Sequence, residues 1–157
     1  VWDRAFERIA ERYPNISSNS LLVDAACMEF IRKPEEFDVV VGSNLFGDIL
    51  TDIGAIITGS MGLALSGNID PERRFPSMFE PVHGSAPDIA GKGIANPLAA
   101  ILSAGMMMRH LGEDGAEAAI GDAVLNVIEE NEVLTPDLGG SSSTSGVGDA
   151  VVSALRR

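Results

Sequence analysis

Apolar side chains recur at helical spacing along most of the chain. Trp2, Phe6, Ile9 and Tyr13 would share one face of a helix over residues 2–13, which Pro14 ends. Asp24 suits the first turn of a second helix, where a carboxylate meets the positive end of the helix dipole. Further helices are predicted over residues 24–32, 44–58, 97–110, 116–130 and 146–155.

Short apolar runs between these segments predict strands. They cover residues 16–23, 37–41 and 77–82, and the second of these, FDVVV, has the composition of a buried strand. Residues 59–68 are rich in glycine and are expected to form a loop. Because helices and strands alternate, the pattern indicates the α/β class.

The densest concentration of loop-forming residues lies at positions 80–97, with the sequence EPVHGSAPDIAGKGIANP. Neither a helix nor a strand accommodates this spacing of glycine and proline. The segment is therefore predicted to be a long, specifically shaped loop that enters a helix at Asn96 and Pro97. Long loops on compact enzymes commonly bind ligands.

A second chemically informative segment is SNLFGDILTD at positions 43–52, in which Asp48 and Asp52 stand four residues apart. On a helix both carboxylates project from one face, where their like charges are mildly destabilising. A hard divalent cation would offset this repulsion, since Mg²⁺ and Mn²⁺ prefer carboxylate oxygens. The alternative is a solvated acidic face, but apolar neighbours such as Phe46 and Leu50 weigh against it.

Composition narrows the choice of function. The 157 residues are enough for a folded core, and the proportions of 45% apolar and 22% charged residues are those of an ordinary globular protein. A net charge of −12 argues against nucleic-acid binding. The single cysteine, Cys27, fits a reducing cytoplasm, and no apolar run reaches membrane-spanning length.

The two motifs, in this order and at this separation, resemble the C-terminal half of a β-decarboxylating hydroxyacid dehydrogenase. This family contains the isopropylmalate, homoisocitrate, isocitrate and tartrate/D-malate dehydrogenases. The resemblance extends from Trp2 to the TPDLGGSSST segment at positions 135–144. It implies the C-terminal half of a two-domain α/β fold, with residues 1–58 in a metal-binding and dimerisation domain and residues 59–157 in a cofactor-binding domain.

The resemblance also implies a metal site. Asp48 and Asp52 match two metal-binding aspartates, and Asp24 matches a third that reaches the metal of the partner subunit. The expected ion is Mg²⁺ or Mn²⁺, and K⁺ is a further candidate. The expected assembly is a homodimer with shared active sites, acting on a small hydroxy dicarboxylate.

The cofactor implied by the resemblance is NAD. Asp88 would accept hydrogen bonds from the adenosine ribose and repel a 2′-phosphate. Relatives that use NADP have a Lys-Tyr pair where this chain has Asp88 and Ile89. The residues expected to contact the cofactor are Glu80, His83, Gly84, Ser85, Ala86, Asp88, Ile89 and Asn96.

The substrate and the catalytic groups are less directly indicated. The LALSGN segment at 63–68 and the DPERRFPSMFEPVHG segment from Asp70 look more like tartrate/D-malate dehydrogenases, with 3-isopropylmalate dehydrogenase as the alternative. The lysine and tyrosine that act as acid and base in the family do not match Tyr13, Lys33 or Lys92 and are expected before Val1. The chain begins within an amphipathic segment, so we expect it to be part of a longer polypeptide. Because the acid–base lysine and tyrosine have no match here, we expect this chain to be inactive alone. A non-catalytic fragment is a second alternative.

Overall fold

The computed structural model describes residues 1–156, and the chain divides into two compact units, Val1–Ile53 and Gly54–Arg157. The first unit is mainly helical. It contains α1 (Trp2–Ala10), α2 (Val23–Arg32), a 3₁₀ turn at Pro34–Glu36 and the larger part of α3 (Asn44–Ile57). The predicted helices are therefore confirmed, although α1 ends three residues earlier than expected.

The two strands predicted for this unit do not form, so the prediction was wrong for residues 16–23 and 37–41. Both segments are irregular, and Val39 and Val41 are 85% and 77% exposed instead of buried. A strand is stable only when a neighbouring strand completes its ladder of backbone hydrogen bonds, and no described residues pair with these segments. β-branched composition alone does not create a strand.

The second unit combines a small sheet with three long helices. Strand β1 (Leu65–Asn68) pairs antiparallel with β2 (Met78–Pro81), with Ser66 opposite Glu80. The segment 59–68, which was predicted to be a glycine-rich loop, thus has regular secondary structure in part: it contains a 3₁₀ turn at Met61–Leu63 and then β1. The helices are α4 (Leu98–Leu111), α5 (Asp114–Glu130) and α6 (Thr144–Leu155), and another 3₁₀ turn lies at Pro136–Leu138.

Helix α4 lies at the centre of the second unit, where it packs against α5 and both strands, while α6 packs against α5. Gly112 ends α4 in the left-handed conformation, with φ 94°. The core of this unit consists of fully or nearly fully buried aliphatic side chains, namely Leu98, Ala123, Val124, Val127, Val147 and Val151. No described helix is both long and apolar enough to cross a membrane.

Candidate functional site

Asp48 and Asp52 both lie on α3, one helical turn apart and exposed to solvent. Neither carboxylate accepts a hydrogen bond from any described residue; the nearby hydroxyl of Thr51 donates instead to the backbone carbonyl of Asp48, at 3.0 Å. Two adjacent carboxylates without protein donors keep all their oxygen lone pairs available. This is the donor chemistry that hard divalent cations favour.

Asp24 lies in the first turn of α2, exposed, and its carboxylate accepts a hydrogen bond from the backbone N–H of Ala25 at 2.9 Å. It does not join Asp48 and Asp52: nowhere in the described part of the chain do three metal-ligating side chains come together. The described residues therefore bring together only the pair Asp48 and Asp52. The contribution of Asp24 to a partner's metal stays a prediction.

The predicted loop follows directly from β2. Its backbone is held by successive tight turns, in which Ile89 N–H donates to the Ala86 carbonyl and Lys92 N–H donates to the Ile89 carbonyl, both at 3.1 Å. Ala86 adopts φ 42°, a value that residues other than glycine rarely adopt. An alanine held in this region stores strain, a feature that concentrates at ligand-binding and catalytic sites.

The outer part of this loop is open to solvent. Gly84, Ser85 and Ala86 are exposed, and no acceptor among the described residues bonds to their backbone N–H groups. The carboxylate of Asp88 is also exposed and free of hydrogen-bond donors, whereas Ile89 is half-buried beside it. The loop thus presents backbone donors and one carboxylate acceptor, the combination that phosphate and ribose hydroxyl groups require.

Glu80 and His83 flank the start of the loop. Glu80 is an exposed residue of β2, whereas His83 is half-buried with its Nδ1 atom 3.2 Å from the carbonyl oxygen of Gly84. If Nδ1 donates this hydrogen bond, Nε2 is the acceptor in the neutral ring and stays available for a ligand.

Asn96 closes the loop and is held at both ends of its side chain. Its Oδ1 accepts the N–H of Leu98 at 2.9 Å, which satisfies one of the free donors at the start of α4. Its Nδ2 donates to Oδ2 of Asp137, also at 2.9 Å. The backbone N–H and C=O of Asn96 make no hydrogen bond to described residues, so the backbone rather than the side chain is free to recognise a ligand.

Asp137 was not anticipated as part of the site. The same Oδ2 atom that binds Asn96 also accepts a hydrogen bond from the hydroxyl of Ser60, whose Oγ in turn accepts the N–H of Gly62 at 2.9 Å. Partial burial raises the pKa of Asp137, but hydrogen bonds from donors that include Ser60 and Asn96 outweigh burial and leave that pKa lowered. The only sequence signal was its position in the TPDLGG segment.

Thr144 is a second residue that the sequence did not single out. Its backbone N–H donates to the Gly93 carbonyl at 2.8 Å, and its hydroxyl donates to the Ala95 carbonyl at 2.6 Å. It lies at the start of α6, within the serine-rich stretch GGSSSTS at positions 139–145. Thr144 therefore anchors the final turn of the loop to the helical core.

The sequence of this chain is similar to those of known dehydrogenases. Residues 1–151 match the family model described as isocitrate/isopropylmalate dehydrogenase. The chain is 51% identical over 156 residues to a 3-isopropylmalate dehydrogenase of Corynebacterium jeikeium, and 49% identical over 156 residues to a probable tartrate dehydrogenase/decarboxylase of Bacillus subtilis. Each alignment covers 99% of this chain and 44% of the relative, so the chain spans less than half the length of these relatives.

Solved structures of similar proteins have the same fold as this chain. An isocitrate dehydrogenase from Methylococcus capsulatus superposes with a TM-score of 0.91 at 44% identity, covering 96% of this chain and 44% of that one. The TT0538 protein from Thermus thermophilus gives a TM-score of 0.92 at 40% identity, covering 99% of this chain and 31% of that one. The chain belongs to the isocitrate/isopropylmalate dehydrogenase family, and the predicted α/β class and isopropylmalate dehydrogenase-like fold are confirmed.

Proposed function

We propose that the intact protein is a metal-dependent, NAD-linked dehydrogenase that oxidises and β-decarboxylates a 2-hydroxy dicarboxylic acid. The observation that carries this proposal is the loop at residues 82–97, in which the exposed, unbonded N–H groups of residues 84–86 and the unpaired carboxylate of Asp88 suit a dinucleotide. Membership of the isocitrate/isopropylmalate dehydrogenase family supports the reaction class.

The metal would be held by Asp48 and Asp52, with Asp24 supplied by a partner subunit. The pair fits Mg²⁺ or Mn²⁺ because both carboxylates are exposed, are one turn apart and are free of protein donors. When bound, such a cation stabilises negative charge on a substrate oxygen next to a carboxylate. The role of the two side chains is to fix its position on a rigid helix.

The cofactor would be held by Glu80, His83, Gly84, Ser85, Ala86, Asp88, Ile89 and Asn96. When bound, NAD accepts the hydride. The N–H groups of Gly84, Ser85 and Ala86 donate to phosphate or ribose oxygens, and Asp88 accepts from the adenosine ribose hydroxyls. The free backbone N–H and C=O of Asn96 match the donor and acceptor on the adenine edge.

For the substrate we favour tartrate or D-malate, because the segment from Asp70 to Gly84 has the pattern of those dehydrogenases. A specific observation also favours 3-isopropylmalate as a second candidate: relatives bearing each name are similarly close to this chain, at 51% and 49% identity. The discriminating experiment is a comparison of kcat/KM for D-malate, tartrate and 3-isopropylmalate with Mn²⁺ and NAD. Preference for isopropylmalate by about tenfold would replace the first assignment with the second.

We further propose that the working unit is a homodimer. Helices α2 and α3 leave large apolar side chains exposed, including Met28 at 63%, Ile31 at 69% and Leu45 at 65%. Exposed apolar surface of this kind marks an interaction face. Sedimentation of the intact protein as a dimer at micromolar concentration is expected, and a stable monomer would remove the route by which Asp24 reaches a metal.

A further inference from the structure

We propose that Asp137 is a positioning residue for cofactor binding: it fixes the side chain of Asn96 so that the Asn96 backbone meets the adenine edge. This inference rests on the proposed NAD-linked function. Asp137 makes no contact with the cofactor in this role and acts only through Asn96.

The side chain of Asn96 is held at both ends by hydrogen bonds. Both functional atoms of its side chain are engaged, Oδ1 by Leu98 N–H and Nδ2 by Asp137, each at 2.9 Å. The side chain is thus tied to Asp137 at one end and to the backbone two residues further on at the other, and this local turn restrains the peptide group that follows Asn96. The bond to Leu98 is a local helix cap, so among the described residues only the hydrogen bond to Asp137 ties the Asn96 side chain to a distant part of the chain.

Asp137 is itself held from two sides. Ser60 donates to the same oxygen that binds Asn96. The turn that carries Asp137 folds closely upon itself, with Gly140 N–H bonded to the Thr135 carbonyl at 3.1 Å and Ser142 N–H bonded to the Leu134 carbonyl at 2.8 Å. A Cβ built on Gly140 would be 2.0 Å from the Leu134 oxygen, so this turn requires glycine. The carboxylate is a fixed anchor.

The charge of Asp137 strengthens the anchor. Partial burial raises the pKa of Asp137, but hydrogen bonds from donors that include Ser60 and Asn96 lower that pKa by more, so the group is ionised near neutral pH. Hydrogen bonds to an ionised acceptor are stronger and shorter than those between neutral groups. Replacing the carboxylate by an amide removes this advantage without changing the shape of the side chain.

The ligand chemistry supplies a selective probe. Adenine presents an acceptor at N1 beside a donor at N6, complementary to one backbone N–H and one backbone C=O. Hypoxanthine inverts both, with a donor at N1 and an acceptor at position 6. A protein that reads adenine through the Asn96 backbone therefore prefers NADH to reduced nicotinamide hypoxanthine dinucleotide, and loses that preference when the backbone is misplaced.

The experiment measures direct binding of the two reduced dinucleotides to the intact protein by ligand fluorescence. The variants are Asp137→Asn, Asn96→Asp and the double variant, with Asp122→Asn on the exposed face of α5 as the matched control. Asp137→Asn is expected to weaken NADH binding about tenfold and the hypoxanthine analogue by less than about twofold. The control is expected to bind both like the wild type.

The double variant separates positioning from general stability. Asn96→Asp keeps the Oδ1 cap for Leu98 but sets a carboxylate against Asp137, so NADH binding should weaken at least as much as in Asp137→Asn. In the double variant the amide at 137 donates to the carboxylate at 96, and the adenine preference should return to within about threefold of the wild type.

The outcomes are distinct for the two proposals. If the wild type binds and prefers NADH but Asp137→Asn keeps the same preference, the positioning role is wrong while the cofactor assignment stands. Equal weakening of both dinucleotides, without recovery in the double variant, also overturns the positioning role. If the wild type binds neither dinucleotide, the proposed function fails and this inference fails with it.

Discussion

The backbone of Gly62 lies directly against the side chain of Asn96. A Cβ built on Gly62 would be only 2.5 Å from the Cβ of Asn96 and 2.7 Å from its Nδ2, closer than such atoms can approach. Gly62 also donates its N–H to Ser60, whose hydroxyl binds Asp137. The position of the Asn96 side chain therefore depends both on the small size of Gly62 and on the hydrogen bonds of Asp137.

Gly62→Ala is expected to displace Asn96 and to weaken NADH binding about tenfold or more, because the added methyl group overpacks the contact at a cost of about 1–3 kcal/mol. The matched control is Gly148→Ala in α6, where a Cβ meets no atom within 4 Å. That control should bind NADH normally and raise the free energy of unfolding by about 0.5–1 kcal/mol. Normal NADH affinity in Gly62→Ala would show that Asn96 has room to move without loss.

Asp48→Asn is expected to weaken Mn²⁺ binding by about tenfold or more, since it removes one anionic ligand from a hard-cation site. Titration calorimetry of the intact protein measures this directly, with Asp122→Asn as a control for the loss of one surface charge. Equal Mn²⁺ affinity in wild type and Asp48→Asn would place the metal site elsewhere.

Asp88→Lys should shift cofactor preference from NAD toward NADP. Asp88 is exposed and has no cationic partner among the described residues, so in the wild type it would meet a 2′-phosphate as an uncompensated like charge. The measurement is the ratio of kcat/KM for the two cofactors, with kcat for NAD reported separately. A wild type that already prefers NADP would contradict the role given to Asp88.

Acid stability should depend on Asp137. Its pKa is lowered in the folded protein, because hydrogen bonds outweigh partial burial, whereas the unfolded chain has the ordinary value of 3.8. The unfolded state therefore binds more protons in acid, and this stabilisation is complete above the unfolded pKa and lost as pH falls through the folded one. Between about pH 5 and about pH 3, Tm should fall more steeply for wild type than for Asp137→Asn. Parallel slopes would contradict this.

Much of the helical framework could be predicted from the sequence, because amphipathic spacing and a helix-ending glycine such as Gly112 are local signals. The strands were predicted less accurately than the helices. Residues 37–41 have strand composition, but pairing depends on a neighbour that no local pattern reveals. Conversely, β1 has the sequence LSGN, which reads as a loop and becomes a strand only because β2 pairs with it.

The candidate site divides in the same way. The carboxylate pair of Asp48 and Asp52 and the loop that follows β2 have compact motifs, so their residues could be proposed directly. Ser60 and Asp137 could not, because their contact joins positions 77 apart in the chain. The role of Thr144 could not be predicted either, because a serine-rich stretch does not indicate the two hydrogen bonds that tie Thr144 to the loop.

The central claim is oxidation coupled to β-decarboxylation, with both metal and NAD required. The most direct test supplies the intact protein with Mn²⁺, NAD and D-malate, tartrate or 3-isopropylmalate, and measures NADH and CO₂ in the same reaction. We expect equal amounts of NADH and CO₂ with at least one substrate, loss of both on chelation of the metal, and recovery when Mn²⁺ is restored. NADH formed without CO₂, or turnover unaffected by chelation, would contradict the assignment.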